Sequence, residues 1–342
     1  MTIREFSPEG YYEELYKENI PALTFTAKNI REWKRWKRKL RQKIKETLGS
    51  FPKEKVDLKP EVLEREELDG YIREKVVFES EKRASIPAYL LIPAGLKKPA
   101  GAVIALHGHG PGKTRPAGIA ETKKEKEVTF GGERDYALQA VKHNYLAIAP
   151  DLRAFGERRN PDDIGANKEN SCRDSLLHSI MFGKTLVGER VFDVARCIDY
   201  LNTREEVDKK RICCLGQSGG GTTALFSAAL DDRIKVAVVS GYFCTFKDSI
   251  LSIHHCECNY IPGILRWAEM YDLAGLIAPR PLLIVAGKDD GIFPIKGVEF
   301  AYKKLKNIYR IANCKDKVKK YIGDGGHRFY AQPVWDFLSR WL

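Results

Sequence analysis

The spacing of apolar and polar positions changes along the chain, and each change predicts a different kind of element. Over residues 28–55, Trp33, Trp36, Leu40, Ile44 and Leu48 recur at three- and four-residue steps, while Lys and Arg fill most of the polar positions between them. That spacing makes an amphipathic helix. Residues 10–50 as a whole read as helices that stop at Gly49-Ser50-Phe51-Pro52. Next, residues 61–68, 70–79 and 86–92 alternate or cluster apolar side chains, with turns at Asp69-Gly70 and at the charged stretch Ser80 to Arg83, and predict strands. From residue 102 onward strands alternate with helices. Strands are expected at 102–106, 145–149, 212–215, 234–239, 281–286 and 318–322, and helices at 134–143, 188–201, 222–230, 298–305 and 332–341. Such alternation argues for an α/β fold, a mostly parallel sheet with helices on both faces.

Two stretches break the alternation. Residues 153–187 and 242–272 are long and polar or irregular, and both follow predicted strand ends, where pockets form in parallel sheets. They are expected to act as a lid or pocket wall, with Phe155, Tyr242 and Tyr260 as substrate-pocket residues. No repeat, low-complexity tract or linker divides the sheet. The expected organisation is therefore an N-terminal helical extension over residues 1–58 followed by one catalytic domain over residues 59–342.

Composition narrows this picture. With 43% hydrophobic residues among 342, the chain can bury a substantial core. The first residues lack an apolar core region and no segment approaches the ~20 apolar residues of a membrane span, so neither secretion nor insertion is expected. Eight cysteines, two of them adjacent at Cys213 and Cys214 in a predicted buried strand, suit reduced thiols in a cytoplasm better than a disulfide framework. The formal charge of +12 raises the question of nucleic acid or an acidic membrane as partner. Much of that excess sits on the 28–55 helix, whose apolar stripe at this period is expected to dock on the protein's own core. Neither nucleic acid nor membrane is expected as a partner; the tryptophan-bearing face leaves a homo-oligomer open.

The candidate chemistry begins at residues 211–227, where an apolar strand runs into Gly216-Gln217-Ser218-Gly219-Gly220 and then a helix-compatible stretch. G-x-S-x-G between strand and helix is the setting of a nucleophile elbow, with the serine hydroxyl raised on a strained turn that leaves no room for side chains at Gly216 and Gly220. A serine hydroxyl is a poor nucleophile until a base takes its proton, so a histidine and an orienting acid should follow, each after a later strand. His327, in Gly323-Asp324-Gly325-Gly326-His327, is the only histidine downstream of the acid loop Lys288-Asp289-Asp290-Gly291. Asp290 is the first choice of acid; Asp289 suits solvent or a cap, and Asp324 a turn. The developing oxyanion needs donors, for which the backbone N–H groups of Gly219 and of His109 in His107-Gly108-His109-Gly110-Pro111-Gly112 are the candidates. His107 and His109 alone lack the third and fourth ligands of a zinc site, and His254-His255-Cys256-Glu257-Cys258 has no spaced second pair nearby. No metal is expected; some of the latter side chains, with Tyr260 and Trp267, are expected to line or support the pocket.

The motifs HGHGPG, APDLRAFGER, GKTLVGERVFD, GQSGGG, CNYIPGIL, LIAPRPLLIVAGKDDGIFP and GDGGHRF, in that order, resemble the α/β-hydrolase superfamily over residues 60–342. Within it the chain is similar to the branch of dienelactone hydrolase-like and acetyl xylan esterase-like proteins. The resemblance implies Ser218 as nucleophile, Asp290 as acid, His327 as base, and the N–H groups of His109 and Gly219 as the oxyanion hole. Dienelactone hydrolases proper usually carry a cysteine nucleophile; serine here favours ordinary esters over enol-lactones. The expected activity is that of a serine carboxylesterase on a small-molecule short-chain acyl ester, acetyl above all, with no metal or organic cofactor. A peptidase or other acyl hydrolase of the same fold is the alternative, as is a non-catalytic binding protein on the same scaffold. Related peptidases usually carry a propeller or larger cap, and 342 residues leave no room for a full propeller.

Overall fold

A computed structural model describes residues 6–342. Nine strands, β1 (Glu61–Leu68), β2 (Tyr71–Glu81), β3 (Ala84–Pro93), β4 (Ala100–Leu106), β5 (Leu146–Pro150), β6 (Val207–Gln217), β7 (Val236–Ser240), β8 (Leu282–Gly287) and β9 (Val318–Gly323), form one sheet. Their spatial order is β1-β2-β3-β5-β4-β6-β7-β8-β9, so β1 and β9 are its two edges. The first three strands are antiparallel neighbours, and β3 runs antiparallel to β5. From β5 to β9 every pairing is parallel, as the alternation predicts. The turn between β1 and β2 uses Gly70 at a φ of 80°, a left-handed conformation that suits glycine. β1 is almost wholly exposed and carries a bulge between Val62 and Glu64.

Eleven α-helices among the described residues cover the sheet: α1 (Pro8–Glu18), α2 (Ile30–Thr47), α3 (Lys123–Lys126), α4 (Tyr136–Lys142), α5 (Pro161–Gly165), α6 (Cys172–Met181), α7 (Leu186–Leu201), α8 (Gly219–Leu230), α9 (Met270–Gly275), α10 (Ile295–Ile311) and α11 (Gln332–Trp341). Every residue of β4, β5, β7 and β8 is buried, which follows from helices on both faces. Successive side chains of a strand point to opposite faces. Thus Ala102, Ile104 and Leu106 of β4 join a core with α2, α7, α8 and α10, while Val103 and Ala105 join a second core with α4 and α11.

The basic amphipathic helix docks on the body of the protein. Trp33, Trp36, Leu40, Ile44 and Leu48 are all buried in the first core, where α2 packs on α8 and α10. The polar rim is tied down as well. The Trp36 Nε1–H donates to the Leu23 carbonyl at 2.8 Å, and Arg41 pairs with Asp232 at 2.5 Å. Burying an apolar side chain contributes about 1.5–3 kcal/mol, so five of them hold this helix far more firmly than the exposed ion pairs do.

The two irregular stretches contain more order than their composition indicates. α5 and α6 lie inside residues 153–187, and the 242–272 stretch is built from short turns leading into α9. The two stretches also meet each other, with Arg173 facing Glu257 at 3.6 Å.

Candidate active site

A cleft of about 250 Å³ opens at the carboxyl ends of the strands, lined among others by His109, Ser218, Ile253, His255, Ile292 and His327. β6 ends at Gln217 and α8 begins at Gly219, which leaves Ser218 alone on the turn with φ 57° and ψ −122°. A non-glycine residue in such a region costs on the order of 1–3 kcal/mol and persists only where its surroundings hold it. Here the Ser218 N–H donates to the Ser240 carbonyl at 2.8 Å and its own carbonyl accepts from Thr222 at 3.0 Å. The neighbouring glycines are sterically required: a Cβ on Gly216 would fall 2.1 Å from the Gly220 carbonyl oxygen, and one on Gly220 would fall 1.9 Å from that of Leu106.

Loops after β8 and β9 bring in the acid and the imidazole. His327 Nδ1 lies 2.7 Å from Asp290 Oδ2, while Asp290 Oδ1 accepts the N–H groups of Ile292 and Phe293 at 2.9 and 3.1 Å. Both carboxylate oxygens are therefore occupied, and the carboxylate is buried. Of the three candidate aspartates only Asp290 touches His327; the exposed Asp324 faces Lys288 at 3.7 Å, and Asp289 is exposed. The ring of His327 stacks on Phe293, and its carbonyl accepts from Arg134 at 3.0 Å. Gly241 leaves it space, since a Cβ there would stand 3.0 Å from His327 Cε1. Ser218 shares the cleft with His327, and their side chains make no direct hydrogen bond in this structure. In substrate-free sites such bonds are often long and tighten on binding.

The loop after β4 lies against the elbow. A Cβ on Gly108 would be 3.1 Å from Ser218 Cβ, and one on Gly219 would be 3.2 Å from His109 Cε1 and Nδ1. Gly219 is the first residue of α8, so its N–H has no acceptor within the helix and points out with the positive end of the helix dipole. His107 supports the loop from behind. Its Nε2 accepts from the Leu152 N–H at 3.0 Å, which leaves Nδ1 to donate to the Gly108 carbonyl at 2.7 Å. Burial pushes its pKa down to about 4, in keeping with the neutral ring that these two bonds require. Lys113 and Asp151 form a buried ion pair at 2.8 Å that fastens the far end of the same loop to the segment after β5.

The expected pocket residues need correction. Phe155 is buried behind the loop, edge-on to the rings of both His107 and His109, and Tyr242 is buried against Phe293; neither lines the cleft. Both carry large aromatic rings that the core encloses. Tyr260 lines a separate groove of about 830 Å³ between α1 and residues 246–266, and its hydroxyl donates to the Ile250 carbonyl at 3.1 Å. Trp267 lies apart from the cleft, under the ammonium of Lys43. From the 254–258 segment, His254, His255 and Cys256 do line the cleft. Arg134 and Ile292 also line it; nothing in their local pattern distinguishes them from helix-flank and loop residues.

The assumption that no further ligands stand near residues 254–258 is also corrected. The fold brings His109 and Cys172 to Cys256 and Cys258, with one donor atom from each of the four lying within 4.8 Å of all the others. Contacts with the thiols of Cys172 and Cys256, and then the Arg190 guanidinium, hold the Cys258 thiol well below its usual range although burial opposes this.

Among the described residues no helix is long and apolar enough to cross a membrane. The sequence matches the Abhydrolase family over residues 2–324. It is 29% identical over 313 residues to YtaP of Bacillus subtilis, a protein named as a hydrolase, covering 88% of this chain and 98% of YtaP. Among solved structures, a Bacteroides fragilis protein described as an acetyl xylan esterase superposes with a TM-score of 0.78 at 21% identity, over 94% of this chain and 83% of the other. A glucuronoyl esterase from Solibacter usitatus gives a TM-score of 0.69 at 17% identity, over 93% and 96% of the two chains. The strand order, the helical layers and these superpositions agree on an α/β-hydrolase fold.

Proposed function

Because the chain belongs to the Abhydrolase family, we propose that it is a serine carboxylesterase that cleaves short-chain acyl esters, acetyl esters first among them. The observation that carries this reading is the 2.7 Å contact between His327 and Asp290 in a cleft that also holds Ser218 on its strained elbow. The esterases described from Bacteroides fragilis and Solibacter usitatus share the fold and support the ester class. A cleft of about 250 Å³ suits a small acyl group better than a long one.

In this mechanism His327 Nε2 takes the Ser218 proton as the serine oxygen attacks the ester carbonyl carbon. Asp290 keeps Nδ1 protonated and stabilises the imidazolium that forms. The negative oxygen is met by the N–H groups of Gly219 and His109, which face charge that develops only in the transition state. Collapse breaks the bond to the alcohol oxygen, which leaves with the proton from Nε2, and an acyl-serine remains. Water, deprotonated by the same imidazole, attacks the acyl carbon; the acid departs and the serine regains its proton. The free thiols of Cys213 and Cys214, buried in β6, suit a reducing cytoplasm as the place of this work.

Ser218→Ala tests the reading. Hydrolysis of p-nitrophenyl acetate should fall by roughly 10⁴-fold or more, as removal of a triad nucleophile does, while the melting transition is preserved. A fluorophosphonate probe should label the parent at Ser218 and leave the variant unlabelled. Unchanged turnover by a folded variant excludes the mechanism.

A further inference from the structure

The cluster behind the oxyanion loop has the make-up of a metal centre. Its four members come from three separate parts of the chain: His109 after β4, Cys172 as the first residue of α6, and Cys256 with Cys258 in the turn after β7. We propose that they form a closed Cys₃His site for one zinc ion, which fastens the loop carrying His109 to both irregular stretches. This proposal is independent of the esterase reading.

Geometry is the first argument. Tetrahedral zinc with Zn–S of about 2.3 Å and Zn–N of about 2.0–2.1 Å places sulfur and nitrogen roughly 3.6 Å apart and two sulfurs roughly 3.8 Å apart. Cys258 Sγ lies 3.5 Å from His109 Nε2, and all four donor atoms fall within 4.8 Å of one another. Small side-chain adjustments close a site of that size. Three sulfurs and one imidazole nitrogen are the donor set that favours zinc over harder cations. Cys172 and Cys258 are buried, whereas His109 and Cys256 reach the cleft and give an ion its way in.

Charge is the second argument, and it rests on a different residue. Arg190 is 1% exposed, donates to the Arg153 carbonyl at 2.8 Å and approaches Cys172 Sγ at 3.4 Å. Its guanidinium also sits over the ring of Phe155. Among the described residues no carboxylate lies within ion-pair distance of it, although Arg153 and Arg158 nearby have theirs. A buried cation without a counter-charge is costly. Three thiolates around a divalent ion carry a net charge of minus one, and Arg190 then makes the whole assembly neutral.

With all four positions taken by protein atoms, the site has no place for substrate or water and is structural. Its effect reaches the cleft through His109. Coordination through Nε2 would fix the ring and leave the proton on Nδ1, the nitrogen that faces Gly219. The backbone N–H of His109 would thereby be held in one position beside the elbow.

The test uses the full chain, expressed with zinc in the medium and purified under reductant without chelator. Elemental analysis should find about one zinc per chain, and Cys256→Ser/Cys258→Ser should lose most of it. Should that double variant fail to fold, the parent alone decides. Stripped under mild conditions, it should melt at a lower temperature and recover on adding one equivalent of zinc. Cobalt(II) added instead should give the intense visible bands of tetrahedral thiolate coordination, and zinc should protect Cys256 and Cys258 from a thiol reagent. Zinc content below about a tenth of an equivalent, with no recovery on zinc addition and thiols equally reactive with and without it, overturns the proposal. So does a disulfide among Cys172, Cys256 and Cys258 in protein that stays folded and metal-free under reductant.

Discussion

Ser218 owes its conformation to residues that have no side chain. At Gly220 the start of α8 presses on the Leu106 carbonyl, so even a methyl group would fall 1.9 Å from backbone oxygen that cannot step aside. Gly220→Ala should therefore destabilise the protein by about 3 kcal/mol or more, the upper range of overpacking. Gly165→Ala provides the control: nothing stands within 4 Å of a Cβ there, and α5 should tolerate or slightly favour alanine. Denaturant unfolding of the two variants compares them directly, and equal midpoints would sink the argument. Crowding at Gly216 and Gly220 was legible in the sequence because the strand-to-helix turn itself demands it. Space made by Gly241 for His327, and the bond from Arg134 to the same loop, were not. Both arise between segments distant in sequence, and no local pattern encodes such a meeting.

At the scale of elements, periodicity was informative wherever one face of an element is buried. The stripe on α2 shows this well: Leu40 has no exposed surface, and its neighbours Trp36 and Ile44 lie on the same buried face. Leu40→Ala should cost about 2–5 kcal/mol through lost burial and the cavity left behind. Lys39→Ala, on the exposed face, should stay within about 0.5 kcal/mol of the parent. Chemical denaturation reads both; a small loss for Leu40→Ala would mean that α2 is not fixed to the core. Elements without a strong period were harder to see. α6 has polar and apolar residues on all sides and lies in a stretch whose composition indicates irregular chain. Its first residue, Cys172, could not be placed from sequence, and His109 and Cys258 are 149 positions apart. A search for ligands spaced closely along the chain passes over a cluster that only the tertiary fold assembles.

Across the whole molecule, buried carboxylates shape the response to pH. Asp272 sits where the N-terminal segment meets α9, accepting from the Phe25 N–H at 3.0 Å and the Glu269 N–H at 3.1 Å. Burial, opposed by those two bonds and reinforced by neighbouring Glu269, raises its pKa from 3.8 to about 7. The folded chain thus holds a proton that the unfolded chain has already released. This contribution to stability is complete below about pH 4, weakens as pH rises, and is gone above about pH 7. Asp193 works the other way. Arg158 and Arg153 outweigh its burial and hold it at about 2, so its contribution is lost only as pH falls from about 4 toward 2. Thermal melts of Asp272→Asn and the parent between pH 4.5 and 7.5 should lie closest at the lower end, where both side chains are neutral, and separate at the upper, where the parent loses stability as its buried carboxyl ionises, and parallel curves would refute the assignment. The same large-scale view bears on how copies of the chain behave when crowded. Val62 and Leu63, each 48% exposed, are the oiliest part of the free β1 border, and the bulge falls at that spot. There the regular ladder of backbone donors and acceptors loses its spacing, so a strand from another molecule finds no continuous template to copy, and the protein is guarded against growing by strand addition.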